Sequence, residues 1–138
     1  MKVIFRTDSS LLIGTGHVMR CLVLAEELER RGYEIEFVCT PLDGDIRSFI
    51  LDRGFKLINL VAPEQKLEPA DDSDYEAWLQ RSSSEDAELF LKAVSSTDLI
   101  ITDHYAIGNK WQSIVVKKLN CRIFAIDDLC RTHKADLI

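Results

Sequence analysis

The sequence predicts an α/β domain built on a doubly wound, mostly parallel sheet. Three observations carry this reading. Short apolar runs rich in Val, Ile and Phe recur along the chain, as buried strands require. Helical stripes lie between most of them. Strands alternating with helices need crossover connections, and these pack helices on both faces of a sheet. At 138 residues the chain is one domain, 1–138.

The elements follow in order. Val3, Ile4 and Phe5 mark a first strand over Lys2–Thr7. Ser9–Gly16 reads as a loop. A helix is expected from His17 to Arg31, because Cys21, Leu24, Ala25 and Leu28 repeat at core-facing spacing. Glu26–Arg30 and Glu27–Arg31 stand four residues apart in the favourable order, and Gly32 sits where a terminating glycine belongs. Ile35–Cys39 is the second strand. Asp43-Gly44-Asp45 supplies a turn and a cap for a short helix striped by Ile46, Phe49 and Ile50. Lys56–Val61 is the third strand, and a long polar connection runs from Pro63 to Asp74. A helical turn is expected over Tyr75–Gln80, then a helix capped by Ser84 and striped by Ala87, Phe90, Leu91 and Val94. Leu99–Thr102 is the fourth strand and Arg122–Ile126 the fifth. Between them Trp111, Ile114, Val115 and Leu119 stripe a helix over Asn109–Leu119. Ala135–Ile138 opens another apolar run, so the chain reads as a piece of a longer protein.

Charge and cysteine content exclude several functions. The net charge is −6, and it is local. From Pro63 to Glu88 nine acids face two bases, a charge of −7, while the rest of the chain carries +1. No basic stripe exists to displace counterions, so nucleic acid is not an expected partner. The acidic run reads as a solvated loop and helix face. No apolar run reaches the ~18 residues of a membrane span, and the N-terminus reads as a strand, so cytoplasmic residence is the default. Cys21, Cys39, Cys121 and Cys130 form no C-x-x-C pair and read as small buried hydrophobes.

Ligands of open α/β sheets bind beyond the carboxyl ends of the strands. His17, His104 and His133 all follow predicted strands. The loop after the first strand, Asp8 to His17, contains Gly14-Thr15-Gly16. Glycine lets a backbone approach a ligand, and a helix start offers free N–H groups to an anion. The loop is neither a dinucleotide fingerprint, since Met19 stands where the third glycine would be, nor a phosphate loop with Gly-Lys-Ser/Thr. A plain tight turn fits it as well. At the helix start the macrodipole disfavours imidazolium, so His17 is a candidate general base, or else a packing histidine. Arg20, one turn later, either reaches a phosphate or the surroundings of His17, or is a solvated arginine. Asp103-His104-Tyr105 brings an acceptor, a titratable ring and an aromatic surface to the crevice, unless Asp103 only caps a turn and Tyr105 only packs. Asp127 and Asp128, followed by Arg131 and His133, can hold a sugar hydroxyl or Mg²⁺, or simply form a turn with one of them paired to Arg131. No D-x-D spacing follows the fourth or fifth strand to point to a dedicated metal site there.

These residues resemble those of a known family. Phe5-Arg6-Thr7-Asp8-Ser9-Ser10 followed by Ile13-Gly14-Thr15-Gly16-His17-Val18-Met19-Arg20-Cys21-Leu22 resembles the opening motif of the UDP-2,4-diacetamido-2,4,6-trideoxy-β-L-altropyranose hydrolases of pseudaminic acid biosynthesis. Asp103-His104-Tyr105 with Trp111 is similar to their second motif. Asp127-Asp128-Leu129, Arg131, His133 and Asp136-Leu137 are similar to their third. The resemblance implies a Rossmann-like N-terminal half of a two-domain, GT-B-type fold, with a C-terminal nucleotide-binding domain absent from this chain. It implies a UDP-linked diacetamido sugar as substrate, no cofactor, no metal and no membrane. His17 matches the residue that activates water. Asp8, Gly14, Thr15, Gly16, Arg20, Asp103, His104 and Tyr105 become substrate-site candidates, supported by Asp127, Asp128, Arg131 and His133. The open alternatives are an acceptor half of a glycosyltransferase and a sugar-binding or regulatory domain without turnover.

Overall fold

The strands pair into one five-stranded sheet, parallel throughout, in a computed structural model that describes residues 1–138. They are β1 (Lys2–Thr7), β2 (Glu34–Cys39), β3 (Lys56–Asn59), β4 (Leu99–Asp103) and β5 (Arg122–Ala125). The helices are α1 (Gly16–Arg30), α2 (Arg47–Asp52), α3 (Ser83–Ala93) and α4 (Asn109–Leu119), with a 3-10 turn at Tyr75–Leu79. The strand order is β3-β2-β1-β4-β5. The chain winds outward from β1 to β3 and then returns to add β4 on the other side of β1. The order therefore reverses between β1 and β4, where an open α/β sheet leaves a crevice at its carboxyl edge.

Each face of the sheet has its own core. Val3, Phe5, Ile35, Phe37 and Ile101 pack against α1 and α2, where Val18, Cys21, Leu22, Ala25 and Ile50 are buried. Ile4, Val38, Ile100 and Ile123 pack against α3 and α4, through Ala87, Phe90, Trp111 and Val115. Successive strand residues point to opposite faces, so a buried strand needs apolar side chains at every position. The helix class of each segment follows the stripes, and the two-sided cover makes the domain Rossmann-like. No helix is long and apolar enough to cross a membrane.

Details differ from the sequence reading. Phe49 is about half exposed, so α2 is anchored by Ile50 and by the partly buried Ile46. Ser82, not Ser84, caps α3, its Oγ accepting from Glu85 N–H at 3.1 Å. Glu27 pairs with both Arg30 and Arg31, while Glu26 reaches across to Arg53. β3 ends at Asn59 because Val61 already faces solvent. Gly32, at φ +94°, ends α1 as expected, with Tyr33 N–H returning to Leu28 O. Cys21, Cys39 and Cys121 are buried, but Cys130 is exposed, on a loop where it has φ +56°. The apolar run at the end pairs Leu137 beside Phe124 on the free edge of β5.

Candidate active site

β1 and β4 end side by side, with Thr7 in register with Asp103. Their following loops deliver the candidate residues to one crevice. The β1 loop closes on itself as Gly14 N–H donates to Ser10 O at 2.8 Å. Gly14 turns there at φ +82°, a conformation that suits glycine. Thr15 precedes α1 as its cap residue without a capping side-chain bond, and Gly16 is the first helical residue. One step on, His17 points back over the end of β4.

His17 Nδ1 lies 2.6 Å from Asp103 Oδ1. Arg20 binds the same carboxylate with both Nε and Nη2, the latter at 2.6 Å. Burial alone would raise the Asp103 carboxyl, but Arg20 and then His17 hold it below the usual carboxylate range. An ionised carboxylate only accepts, so Nδ1 carries the ring proton. In the neutral ring Nε2 then keeps its lone pair. Nε2 makes no hydrogen bond within the chain. The sequence argument for His17 rested on the helix start; the carboxylate that fixes its tautomer comes from β4.

The other two histidines are paired to aspartates as well, but both of their nitrogens are used. His104 Nε2 lies 3.0 Å from Asp8 Oδ2, and its Nδ1 accepts from Ala106 N–H at 3.1 Å. His133 Nε2 lies 2.8 Å from Asp127 Oδ2, and its Nδ1 accepts from the Gln112 amide at 2.9 Å. Of the three, only His17 has a nitrogen left for chemistry.

The remaining candidates divide by access. Asp8 is 1% exposed, and its carboxylate is taken by Arg6, Thr40 N–H and His104. Burial would raise its pKa, yet Arg6 and His104 bring it down to about 2. Asp127 is likewise spent on His133, Arg131 and two backbone N–H groups, and it too falls to about 2 against the effect of burial. His133 is enclosed with it. Asp128 accepts from Tyr105 Oη at 2.5 Å, which with burial raises the phenol pKa. Arg131 fastens the β4 loop by donating to the carbonyls of Tyr105 and His104. No three His, Cys, Asp or Glu side chains converge as metal ligands would.

Sequence reasoning missed two groups. The first is a buried ion network. Arg6 is fully buried in β1 and binds Asp8 at 2.7 Å and Asp86 at 2.7 Å and 3.1 Å. Trp111 Nε1 adds a bond to Asp86 at 2.8 Å. The signal was there: Arg6 and Asp8 lie two apart, at strand spacing, directly after the apolar run Val3–Phe5. Asp86 also corrects the reading of the acidic segment as wholly solvated. The second is an aromatic cluster over His17. Tyr105 stands edge-on to the imidazole at 4.7 Å and Trp78 at 5.8 Å; Trp78 and Tyr105 stack at 5.3 Å, and Tyr75 contacts both. Two clefts of about 710 and 870 Å³ flank this cluster, one lined by Trp78 and the other by Tyr75 and Tyr105.

No family model matches the chain. Over all 138 residues it is 29% identical to UDP-2,4-diacetamido-2,4,6-trideoxy-beta-L-altropyranose hydrolase of Campylobacter jejuni. The chain spans 40% of that protein's length. The expected kinship thus meets a similarity that runs through every element carrying the crevice.

Proposed function

We propose that this chain is the N-terminal, GT-B-type half of a cytoplasmic UDP-sugar hydrolase, its residues 1–138 forming one side of a cleft completed by a nucleotide-binding domain. The observation that carries the reading is the His17–Asp103 pair at the β1/β4 crevice, with Nε2 of His17 unpartnered. The similarity to the Campylobacter hydrolase supports a UDP-linked diacetamido sugar as substrate. His17 Nε2 accepts a proton from water as the water oxygen bonds to the anomeric carbon. The bond from that carbon to the UDP oxygen breaks, and the electron pair leaves on UDP. One displacement inverts the anomeric centre.

The other residues serve that step. Asp103 keeps Nδ1 protonated and stabilises the imidazolium that forms. Arg20 shares the Asp103 charge through Nε and Nη2, and its side chain stays part-exposed beside His17. Thr15 and Gly16, after the Gly14 turn, present uncapped backbone N–H groups at the start of α1. Tyr105 offers an aromatic face to the sugar, held by Asp128 at its hydroxyl and by Arg131 at its carbonyl, while His104 and Asp8 pair beneath it.

The test is turnover of a UDP-linked diacetamido sugar by the full-length gene product in ¹⁸O-labelled water. The expected result is UDP release with label in the sugar only. Label in UDP would mean attack at phosphorus, and no release at all would remove the reading.

A further inference from the structure

His17 is enclosed on nearly every side. Asp103 and Arg20 occupy its Nδ1 edge. Tyr105 meets the ring at 90° and Trp78 at 77°, both at contact distance. The roof is itself braced: Tyr75 packs on Trp78 at 4.9 Å and on Tyr105 at 5.1 Å, Asp128 holds the Tyr105 hydroxyl, and Arg131 holds its carbonyl. The His17 side chain is left 9% exposed.

We propose that this roof of Tyr75, Trp78 and Tyr105 selects water as the nucleophile by keeping larger hydroxyl compounds from Nε2 of His17. The proposal rests on the hydrolase reading above. A general base works when the oxygen it deprotonates comes within about 3 Å. Water brings a single heavy atom to that distance. An alcohol brings its carbon chain as well, and an acceptor sugar brings a ring whose other hydroxyls would leave water to face aromatic carbon. Those hydroxyls would lose hydrogen bonds without replacement. The same base on an open crevice would transfer the sugar: the alcohol oxygen would bond to the anomeric carbon, its proton would pass to Nε2, and UDP would leave with the electron pair.

The experiment compares the full-length wild-type enzyme with Trp78→Ala and Tyr75→Ala in buffer containing glycerol. Free sugar, glyceryl glycoside and UDP are quantified by NMR, and circular dichroism checks that each variant is folded. Wild type should give UDP and free sugar. Each folded variant should raise the ratio of glycoside to free sugar by about tenfold or more, the scale on which a pocket discriminates by one methylene. If Trp78→Ala does not fold, Tyr75→Ala decides. An unchanged ratio in folded, active variants overturns the proposal and leaves the hydrolase reading intact. Loss of all UDP release in every folded variant also overturns it, since the aromatic groups would then serve the chemistry itself. No UDP release from wild type removes the hydrolase reading and this proposal together.

Discussion

Asp103, the last residue of β4, holds Nδ1 of His17, the second residue of α1, at 2.6 Å. The contact joins two segments 86 residues apart, and it exists because β4 is laid against β1 where the strand order reverses. A carboxylate at one ring nitrogen and an open site at the other is an arrangement that orients a base.

This relationship predicts a shared effect of two substitutions. His17→Asn should lower kcat by ~10²–10⁴ with a much smaller change in substrate affinity, since a base acts in the transition state. Asp103→Asn should lower kcat on the same scale by releasing the tautomer. Residues that act as a unit are not additive, so the double variant should be no slower than His17→Asn alone. Steady-state kinetics on the full-length enzyme measure all three. A His17→Asn enzyme with wild-type kcat would end the general-base assignment.

Arg6 should matter to stability well before it matters to chemistry. It lies near the carboxyl end of β1 with no exposed side-chain surface and answers two buried carboxylates, Asp8 and Asp86. Removing it takes the guanidinium from both and leaves Asp8 to His104 and the Thr40 N–H and Asp86 to Trp111, a loss of ~3–5 kcal/mol on the scale of a broken buried pair. Arg6→Met should therefore lower the unfolding free energy from urea titration by that amount, and Arg6→Met/Asp86→Leu should recover part of the loss. A midpoint within error of wild type for Arg6→Met would mean that the network is not a stabilising unit.

The fold was largely legible because its signals are local. Apolar runs such as Ile100-Ile101 and stripes such as Phe90 and Trp111 follow from strand and helix periods, and chain order then implies a parallel sheet. The loops flanking the crevice were legible too, since glycine and histidine after a strand carry a physical meaning. What the residues alone left hidden was pairing across the sheet. Nothing near Asp103 in sequence says that it meets His17, and nothing near Asp86 says that it meets Arg6. Trp78 and Tyr75 sit in an acidic, irregular stretch, where the absence of a period hid the fact that a 3-10 turn lays both over the site. Phe49 misled in the opposite direction: its spacing fits a stripe, but α2 is too short to cover the face that the spacing implies.

Acid should weaken the fold through Asp8. Its carboxyl titrates at 3.8 when unperturbed and at about 2 in the folded chain, where Arg6 and His104 overcome the effect of burial. The folded state thus favours the charged form, and the stabilisation is complete above about pH 4 and lost as pH falls toward about 2. The difference is on the order of 2 kcal/mol. Asp127, lowered in the same direction by His133 and Arg131, adds to the same window. Asp8→Asn should be less stable near neutrality yet show a flatter acid limb when melting temperature is followed against pH. An acid limb as steep as wild type would assign the effect to other carboxylates.

The two glycines of the β1 loop separate a backbone requirement from a ligand requirement. Gly14 has φ +82°, so Gly14→Ala should cost ~1–2 kcal/mol through strain alone, although open space surrounds the position. Gly16 has no such conformation, and a methyl group there would meet nothing within 4 Å. As the first residue of α1 it should accept alanine with a gain of ~0.4–1 kcal/mol, because the unfolded chain loses freedom. The chain itself therefore has no use for glycine at position 16. If the substrate lies against the backbone there, Gly16→Ala should lower kcat/KM by ~10²-fold, the cost of displacing a reacting group by about 1 Å, in a protein that melts no lower than wild type. Melting curves and kinetics on Gly14→Ala and Gly16→Ala distinguish the two effects. A stable Gly16→Ala enzyme with full kcat/KM would show that the substrate does not approach this turn, and would move the sugar site toward Tyr105.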